Sequence, residues 1–185
     1  MKVKWGFKAA ATPAPPNDRL RKLARRLDEI ARKDENMVQR AREISGMRRQ
    51  AALELHAVCG NFVHQLNALL MDTVLEFDPE TYRPEHFHDD GVNLFQINAR
   101  GRILQIEFES TAELTATENF RVPYILEGSA RCFNQQLLDK QIINEHALFY
   151  TVERARQLWR FFDARTYRTG LVDTGYLIGL MEQLV

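Results

Sequence analysis

"VNLFQINARGRILQIEFES", residues 92 to 110, changes the periodicity of the chain and so decides the fold class. Leu104, Ile106 and Phe108 alternate with polar side chains, which is typical of a strand with one buried face. The two halves of the stretch are joined at residues 98–101, where Gly101 can take the positive φ of a short turn with a bulge. The stretch therefore predicts a β-hairpin.

Four further extended segments follow the hairpin. They are "FRVPYILE" (120–127), "ARCFNQQLLD" (130–139), "IINEHALFYTV" (142–152) and "QLWRFFDA" (157–164). Pro123 suits an edge position or a bulge better than a central strand. Residues 152–162 also have apolar spacing compatible with a helix, but the density of aromatic residues favours a strand over 157–163. Short connections between these segments predict an antiparallel meander of five to six strands.

The chain ends on "VDTGYLIGLMEQLV", residues 172–185, which predicts a short helix capped by Asp173 or Thr174. Leu177, Leu180 and Met181 share one side with Leu184, so this helix should pack on the sheet. A long helix, an antiparallel sheet and a closing helix define an α+β fold.

Upstream of the hairpin, "NDRLRKLARRLDEIARKDENMVQRAREI", residues 17–44, has an apolar stripe at heptad spacing that continues to about residue 69. Asp34 and Arg48 interrupt the stripe, and Gly46 lies beside the second interruption. Two interpretations remain open, a continuous helix from about 17 to 75 or a helical hairpin that turns near Ser45 and Gly46. In either case the denser apolar positions beyond Ala51 should pack on the sheet.

These patterns predict three regions: a flexible or extended segment over 1–16, a basic association helix over 17–50 and an α+β domain over 51–185. The formal charges balance at 25 basic and 25 acidic residues, yet residues 1–50 contain 14 basic and 6 acidic ones. Residues 51–185 are correspondingly acidic. The excess arginine should either meet the acidic domain of a neighbouring copy or keep the helix in solution.

A narrow apolar stripe on a long helix needs another helix beside it. The predicted function is therefore that of an oligomeric protein-interaction or scaffolding protein, with a homo-oligomer or another protein as partner. The predicted contact residues are Leu20, Leu23, Leu27, Ile30, Met37, Ala41 and Ile44.

Nucleic-acid binding is an alternative function for the same helix, through Arg21, Arg25 and Arg32. Acidic residues stand three and four positions from these arginines, as expected for ion pairs along a helix. Aromatic residues that would stack on bases are missing from residues 17–50. The distribution of charge thus disfavours a nucleic-acid partner.

A metal-binding module or metal-dependent enzyme is the other alternative. In "HFHDD", His86 and His88 alternate on an extended segment, and Asp90 or Asp89 can supply oxygen. Glu107 and Glu109 on the nearby hairpin could complete such a site. A bare His-x-His is also common in solvated loops that bind nothing.

The sequence gives little support for nucleotide binding or for a serine hydrolase. Phosphate-binding glycine loops and the nucleophile-elbow motif do not occur, so we predict no cofactor and no catalytic residues. Cys59 and Cys132 are far apart in apolar surroundings, which favours a reducing, cytoplasmic setting. We expect neither a cleaved leader nor a membrane partner, because long uninterrupted apolar runs are missing.

Overall fold

The computed structural model describes residues 16–72, 74–117, 120–140, 144–153 and 156–184. The predicted flexible segment over 1–16 lies, apart from its last residue, outside the described residues. The elements are α1 (Pro16–Asn67), β1 (Glu76–Asp78), a 3₁₀ turn (Pro84–His86), β2 (Asn93–Ala99), β3 (Arg102–Thr115), β4 (Tyr124–Phe133), α2 (Gln135–Asp139), β5 (Asn144–Glu153), β6 (Arg156–Asp163), β7 (Arg168–Leu171) and α3 (Thr174–Glu182). The predicted α+β class is confirmed.

The predicted hairpin is formed by β2 and β3, with a tighter turn than expected. Ala99 pairs with Arg102, which leaves a loop of only two residues. Arg100 has φ 52° and Gly101 has φ 82°. Positive φ at both loop positions is the requirement of a type I′ turn, whose twist matches that of the strands. The Asn98 side chain accepts a hydrogen bond from the Gly101 amide at 2.9 Å and secures the turn without a bulge.

The described strands form one antiparallel sheet in the order β1 to β7, so each strand pairs with its neighbour in the chain. Seven strands exceed the five to six predicted, because β1 and β7 are too short to show alternation. Residues 157–163 lie within strand β6, as expected. The extended segment predicted over 130–139 is right only for residues 130–133, which belong to β4. The strand ends at Phe133, and Asn134 caps α2 by accepting a hydrogen bond from the Leu137 amide.

The helix α1 continues through Ser45 and Gly46, as the interpretation of a continuous helix predicted, and it ends at Asn67 rather than near 75. Gly46 stays on an exposed side of the helix, where the missing side chain costs no packing. Arg48, an apparent fault in the stripe, donates hydrogen bonds to the backbone carbonyls of Ile125 and Thr111. Its guanidinium thus caps sheet carbonyls instead of facing a partner helix.

The chain divides into two compact units, Met1–Glu43 and Ile44–Val185. In the second unit, small residues of α1 let the helix approach the inner face of the sheet. The Trp159 indole donates to the Ala51 carbonyl at 2.8 Å, and the Tyr150 hydroxyl donates to Glu54 at 3.1 Å. The core contains Ala51, Ala52, Leu55, Cys59 and Phe62 of α1, Phe95, Ile97, Leu104, Ile106, Phe108, Ala130, Leu148 and Trp159 of the sheet, and Leu177, Leu180 and Met181 of α3.

The helix α3 begins as predicted, with Asp173 as the cap: its carboxylate accepts a hydrogen bond from the Tyr176 amide at 2.9 Å. It packs on the same inner face, where the Cys132 thiol donates to the Leu180 carbonyl at 3.6 Å. Both helices therefore share one side of the sheet. The other face carries the polar residues of the alternating pattern, among them Glu107, Arg131 and Glu145.

Candidate functional site

The apolar stripe of α1 is uncovered over the first unit. Every residue from 17 to 43 is exposed. The large apolar side chains of the stripe are each between 51% and 62% exposed: Leu20, Leu23, Leu27, Ile30, Met37 and Val38. Ala41 is exposed as well, whereas Ile44 is half-buried against the core of the second unit. Six of the seven predicted contact residues thus lie on one open surface, which we call the α1 stripe (residues 20–41).

The two flanks of the α1 stripe differ in chemistry. In a heptad frame with Leu20 and Leu27 at position a, the residues at g are all basic and those at e are small or apolar. The g residues are Arg19, Arg26, Lys33 and Arg40, and the e residues are Ala24, Ala31 and Val38. The apolar surface therefore includes positions a, d and e and is wider than a strict two-residue seam. Within residues 20–41, Asp34 is the single charged residue at position a.

The three arginines predicted to bind polyanions lie outside the α1 stripe. Arg21 is at heptad position b, and Arg25 and Arg32 are at f, which faces away from the seam. Asp28 precedes Arg32 by four residues, and Glu29 follows Arg25 by four, so opposite charges alternate on this outer surface. Nucleic-acid binding through these arginines stays a prediction.

The predicted metal loop is held by hydrogen bonds of its own. The Nδ1 atom of His86 accepts a hydrogen bond from the Arg83 amide at 3.3 Å, and its side chain is exposed. The Asp89 carboxylate already accepts from Arg49 at 3.1 Å and from the Ser45 hydroxyl at 3.2 Å. His88 and Asp90 are exposed beside it.

The buried side chain of Asn93 fixes the backbone of this loop. Its Oδ1 accepts from the His88 amide at 2.9 Å, and its Nδ2 donates to the His88 carbonyl at 3.1 Å. Within the part of the chain that the structure describes, no group of three or more His, Cys, Asp or Glu side chains is placed to hold a metal ion. Metal binding by His86, His88 and Asp90 stays a prediction.

A polar pocket that the sequence did not predict lies between α3 and the inner face of β5 to β7. It has a volume of about 440 Å³ and includes His146, Asp163, Arg168 and Tyr176 in its lining. Register explains how they meet: Asp163 pairs with Arg168 across β6 and β7, and Ala147 pairs with Phe162, so His146 stands opposite Asp163.

The polar side chains of this pocket form a chain of contacts around His146. Its Nδ1 lies 3.3 Å from the Tyr176 hydroxyl, and its Nε2 lies 4.0 Å from an Asp163 oxygen. The Tyr176 ring stacks on Phe161 with 4.4 Å between the ring centroids. Asp163 accepts further hydrogen bonds from the Thr166 hydroxyl and the Arg165 amide.

The pKa shifts in this pocket follow from burial and hydrogen bonding. Burial lowers the pKa of His146 below 6.5, against the opposing attraction of Asp163. The hydrogen bond from Thr166 is the main cause that lowers the pKa of Asp163 below 3.8. Burial raises the pKa of Tyr176, so its hydroxyl stays protonated beside Nδ1. A neutral imidazole therefore lies between a phenol and an ionised carboxylate at neutral pH.

Both cysteines are buried thiols without a reactive setting. Burial raises the pKa of Cys59 and that of Cys132 to about 12. A thiol with so high a pKa holds little thiolate at neutral pH and reacts slowly with disulfides.

Among the described residues, no helix combines the length and apolar character that crossing a membrane requires. Comparisons of this chain with models of protein families, with curated proteins and with solved structures returned no match.

Proposed function

We propose that this protein is a self-associating scaffold, in which the α1 stripe pairs with the same stripe of a second copy in parallel orientation. The observation that carries the proposal is the exposure of six large apolar side chains along one face of a helix. Contiguous exposed apolar surface of this kind is a common mark of a protein interface. Burial of this apolar surface against a second copy would stabilise the pair by roughly 25 cal/mol per Å².

The charges on the flanks support parallel rather than antiparallel pairing. In a parallel pair, residues at g face residues at e of the partner helix, so Arg26 and Lys33 would meet alanine or valine. In an antiparallel pair, g faces g, which would bring the basic flanks together at a cost in free energy. A second copy in parallel orientation thus avoids the repulsion between like charges.

Asp34 would meet its own equivalent in such a pair. A single polar residue at position a specifies register and lowers stability. Residues 20–30 and 37–41 would supply the apolar contacts on both sides of it. We expect the association to be specific in register and moderate in affinity.

Light scattering coupled to size exclusion tests the self-association. The double variant Leu23→Lys/Ile30→Lys places two charges in the seam and should reduce the mass to that of a single chain. The matched control, Asn36→Lys/Gln39→Lys, adds the same two charges on the outer surface of α1 and should keep the wild-type mass. A wild-type chain that is monomeric at tens of micromolar, or equal masses for both variants, would refute the proposal.

Cysteine cross-linking tests the orientation. Leu20→Cys should form a disulfide-linked dimer under mild oxidation, because residue 20 meets residue 20 only in a parallel pair in register. The control Arg25→Cys points away from the seam and should cross-link far less. Cys59 and Cys132 should not interfere, since both are buried. Strong cross-linking of the control alone would exclude parallel pairing.

A further inference from the structure

A second cavity, separate from the α1 stripe and from the His146 pocket, opens between α1, α3 and the β2–β3 turn. Its volume is about 500 Å³, within the range of roughly 300 to 1,000 Å³ that is typical of sites for small organic ligands. Its walls are mainly apolar: Phe62, Leu66, Leu70, Leu75, Ala99, Ile178 and Met181. We call it the apolar cavity.

Two arginines of the hairpin line the same cavity. Arg102 donates from Nε to the Leu184 carbonyl at 3.0 Å, and Arg100 donates from one terminal nitrogen to the Asp72 carbonyl at 2.8 Å. These bonds fix the direction of each guanidinium and use one of its five N–H donors. Over the described ranges, no carboxylate lies within ion-pair distance of either guanidinium. Glu182 is the single acidic residue of the lining.

Uncovered apolar side chains adjoin the lining in sequence. Leu69 and Met71 flank the lining residue Leu70, and Val74 precedes the lining residue Leu75. All three are more than two thirds exposed. An apolar chain bound in the apolar cavity has further apolar surface of the protein within reach at Leu69, Met71 and Val74.

We propose that the apolar cavity binds a monomeric anionic amphiphile, with the hydrocarbon chain between α1 and α3 and the carboxylate or phosphate headgroup on Arg100 and Arg102. Guanidinium groups bind such headgroups through two parallel hydrogen bonds. The net charge of the lining is positive, which complements an anion. A concave site lined by two helices and a turn suits a single chain rather than a bilayer surface.

Calorimetric titration of the full-length protein with decanoate, below its micelle concentration, tests this proposal. We expect saturable binding with one ligand per chain, and at least tenfold weaker binding of the neutral analogue decanol. Absence of saturable decanoate binding would overturn the proposal. Equal affinities for decanoate and decanol would refute the role of the arginines.

Two variants test the position of the ligand. Arg100→Asn removes the charge. Asparagine tolerates the positive φ of 52° at this position, so the turn should stay intact. It should weaken decanoate binding about tenfold and leave decanol binding unchanged. The control Arg156→Asn changes an exposed arginine outside the lining and should bind like wild type.

Filling the cavity provides the second variant. Ala99→Leu should abolish the binding of both ligands, and Leu66→Trp serves the same purpose if Ala99→Leu does not fold by circular dichroism. Unchanged decanoate affinity in a folded cavity-filling variant would place the ligand elsewhere and overturn the proposal. The outcome is independent of self-association, because the Leu23→Lys/Ile30→Lys variant should bind decanoate like wild type.

Discussion

Gly128 is the glycine of the sheet with the least space around it. It stands opposite Phe108 on the neighbouring strand. An added Cβ would lie against the Glu107 carbonyl oxygen and 2.8 Å from both Cα and Cβ of Phe108. Two paired strands would have to separate to relieve these contacts. The close approach of β3 and β4 at this point therefore depends on the absence of a side chain.

We expect Gly128→Ala to lower the free energy of unfolding by about 3 kcal/mol, the upper range for overpacking a well-packed site. Urea denaturation followed by fluorescence measures the change. The neighbouring Ser129→Ala alters the opposite face of the same strand and should change stability by less than about 0.5 kcal/mol. A stability loss for Gly128→Ala as small as that of the control would contradict the interpretation.

His146 gives the protein a pH dependence with a definite sign. Its pKa in the folded state is lower than the value of 6.5 expected in the unfolded chain. The unfolded state therefore binds more protons below pH 6.5, and the stability falls as the pH falls through this window. Burial is the main cause of the lowered pKa, partly opposed by Asp163 and assisted by Arg165.

Replacement of His146 by glutamine should reduce the loss of stability between pH 7.5 and 5. The measurement is the urea midpoint across this range, compared with wild type. His64→Gln changes an exposed histidine of α1 and should leave the wild-type slope in place. The same slope for His146→Gln and wild type would show that other groups determine the acid sensitivity.

At the scale of single elements, the hairpin was predictable because alternation over residues 93–108 is strong and local. The short edge strands β1 and β7 were not, since three or four residues carry too little periodicity to be recognised. The α1 stripe was predictable from spacing alone. That Ile44 packs against the core was not predictable, because the same spacing continues from the exposed half of α1 into the buried half.

The His146 pocket could not be predicted from the sequence for a different reason. His146, Asp163 and Arg168 lie on three strands, and only the register of β5, β6 and β7 brings them together. A shift by one residue would turn each side chain to the other face of the sheet. No local motif in the sequence specifies that register, although inward alternation on β5 and β6 offered a weak signal.

The continuity of α1 gives a prediction at Gly46. This residue lies inside the helix, and no atom stands within 4 Å of an added Cβ. Gly46→Ala should therefore stabilise the protein by about 0.5 to 1 kcal/mol through the reduced backbone entropy of the unfolded chain. Thermal denaturation by circular dichroism measures the effect. A lower midpoint would indicate that the helix bends or opens at this residue.

At the scale of the whole molecule, no residue between 17 and 43 belongs to the core cluster. A chain that begins at Arg40, one turn before the boundary between the two units, should keep the urea midpoint of the α+β unit at a protein concentration where wild type is monomeric. The same chain should show no self-association by light scattering at higher concentration. A large loss of stability in this shortened chain would assign residues 16–39 a structural role in the fold.

The dependence of binding on salt concentration should distinguish the proposed dimer from the alternative kinds of binding. Residues 16–43 contain nine basic and six acidic side chains, so two copies side by side repel each other. Raising sodium chloride from 50 to 500 mM should screen this repulsion and tighten the dimer severalfold, as measured by sedimentation. Binding of α1 to nucleic acid would become weaker with salt instead. So would binding of α1 to the acidic second unit of another copy.

Every strand of the sheet pairs with the strand that comes next along the chain, from β1 to β7. As the polypeptide leaves the ribosome, each new strand therefore finds its pairing partner already synthesised and closes only the connection between the two, which limits the entropic cost of each addition. The helix, synthesised first, has to wait: the bond from Trp159 to Ala51 spans 108 residues. Until the strands that cover it have emerged, the apolar side of α1 is exposed to solvent and to other proteins.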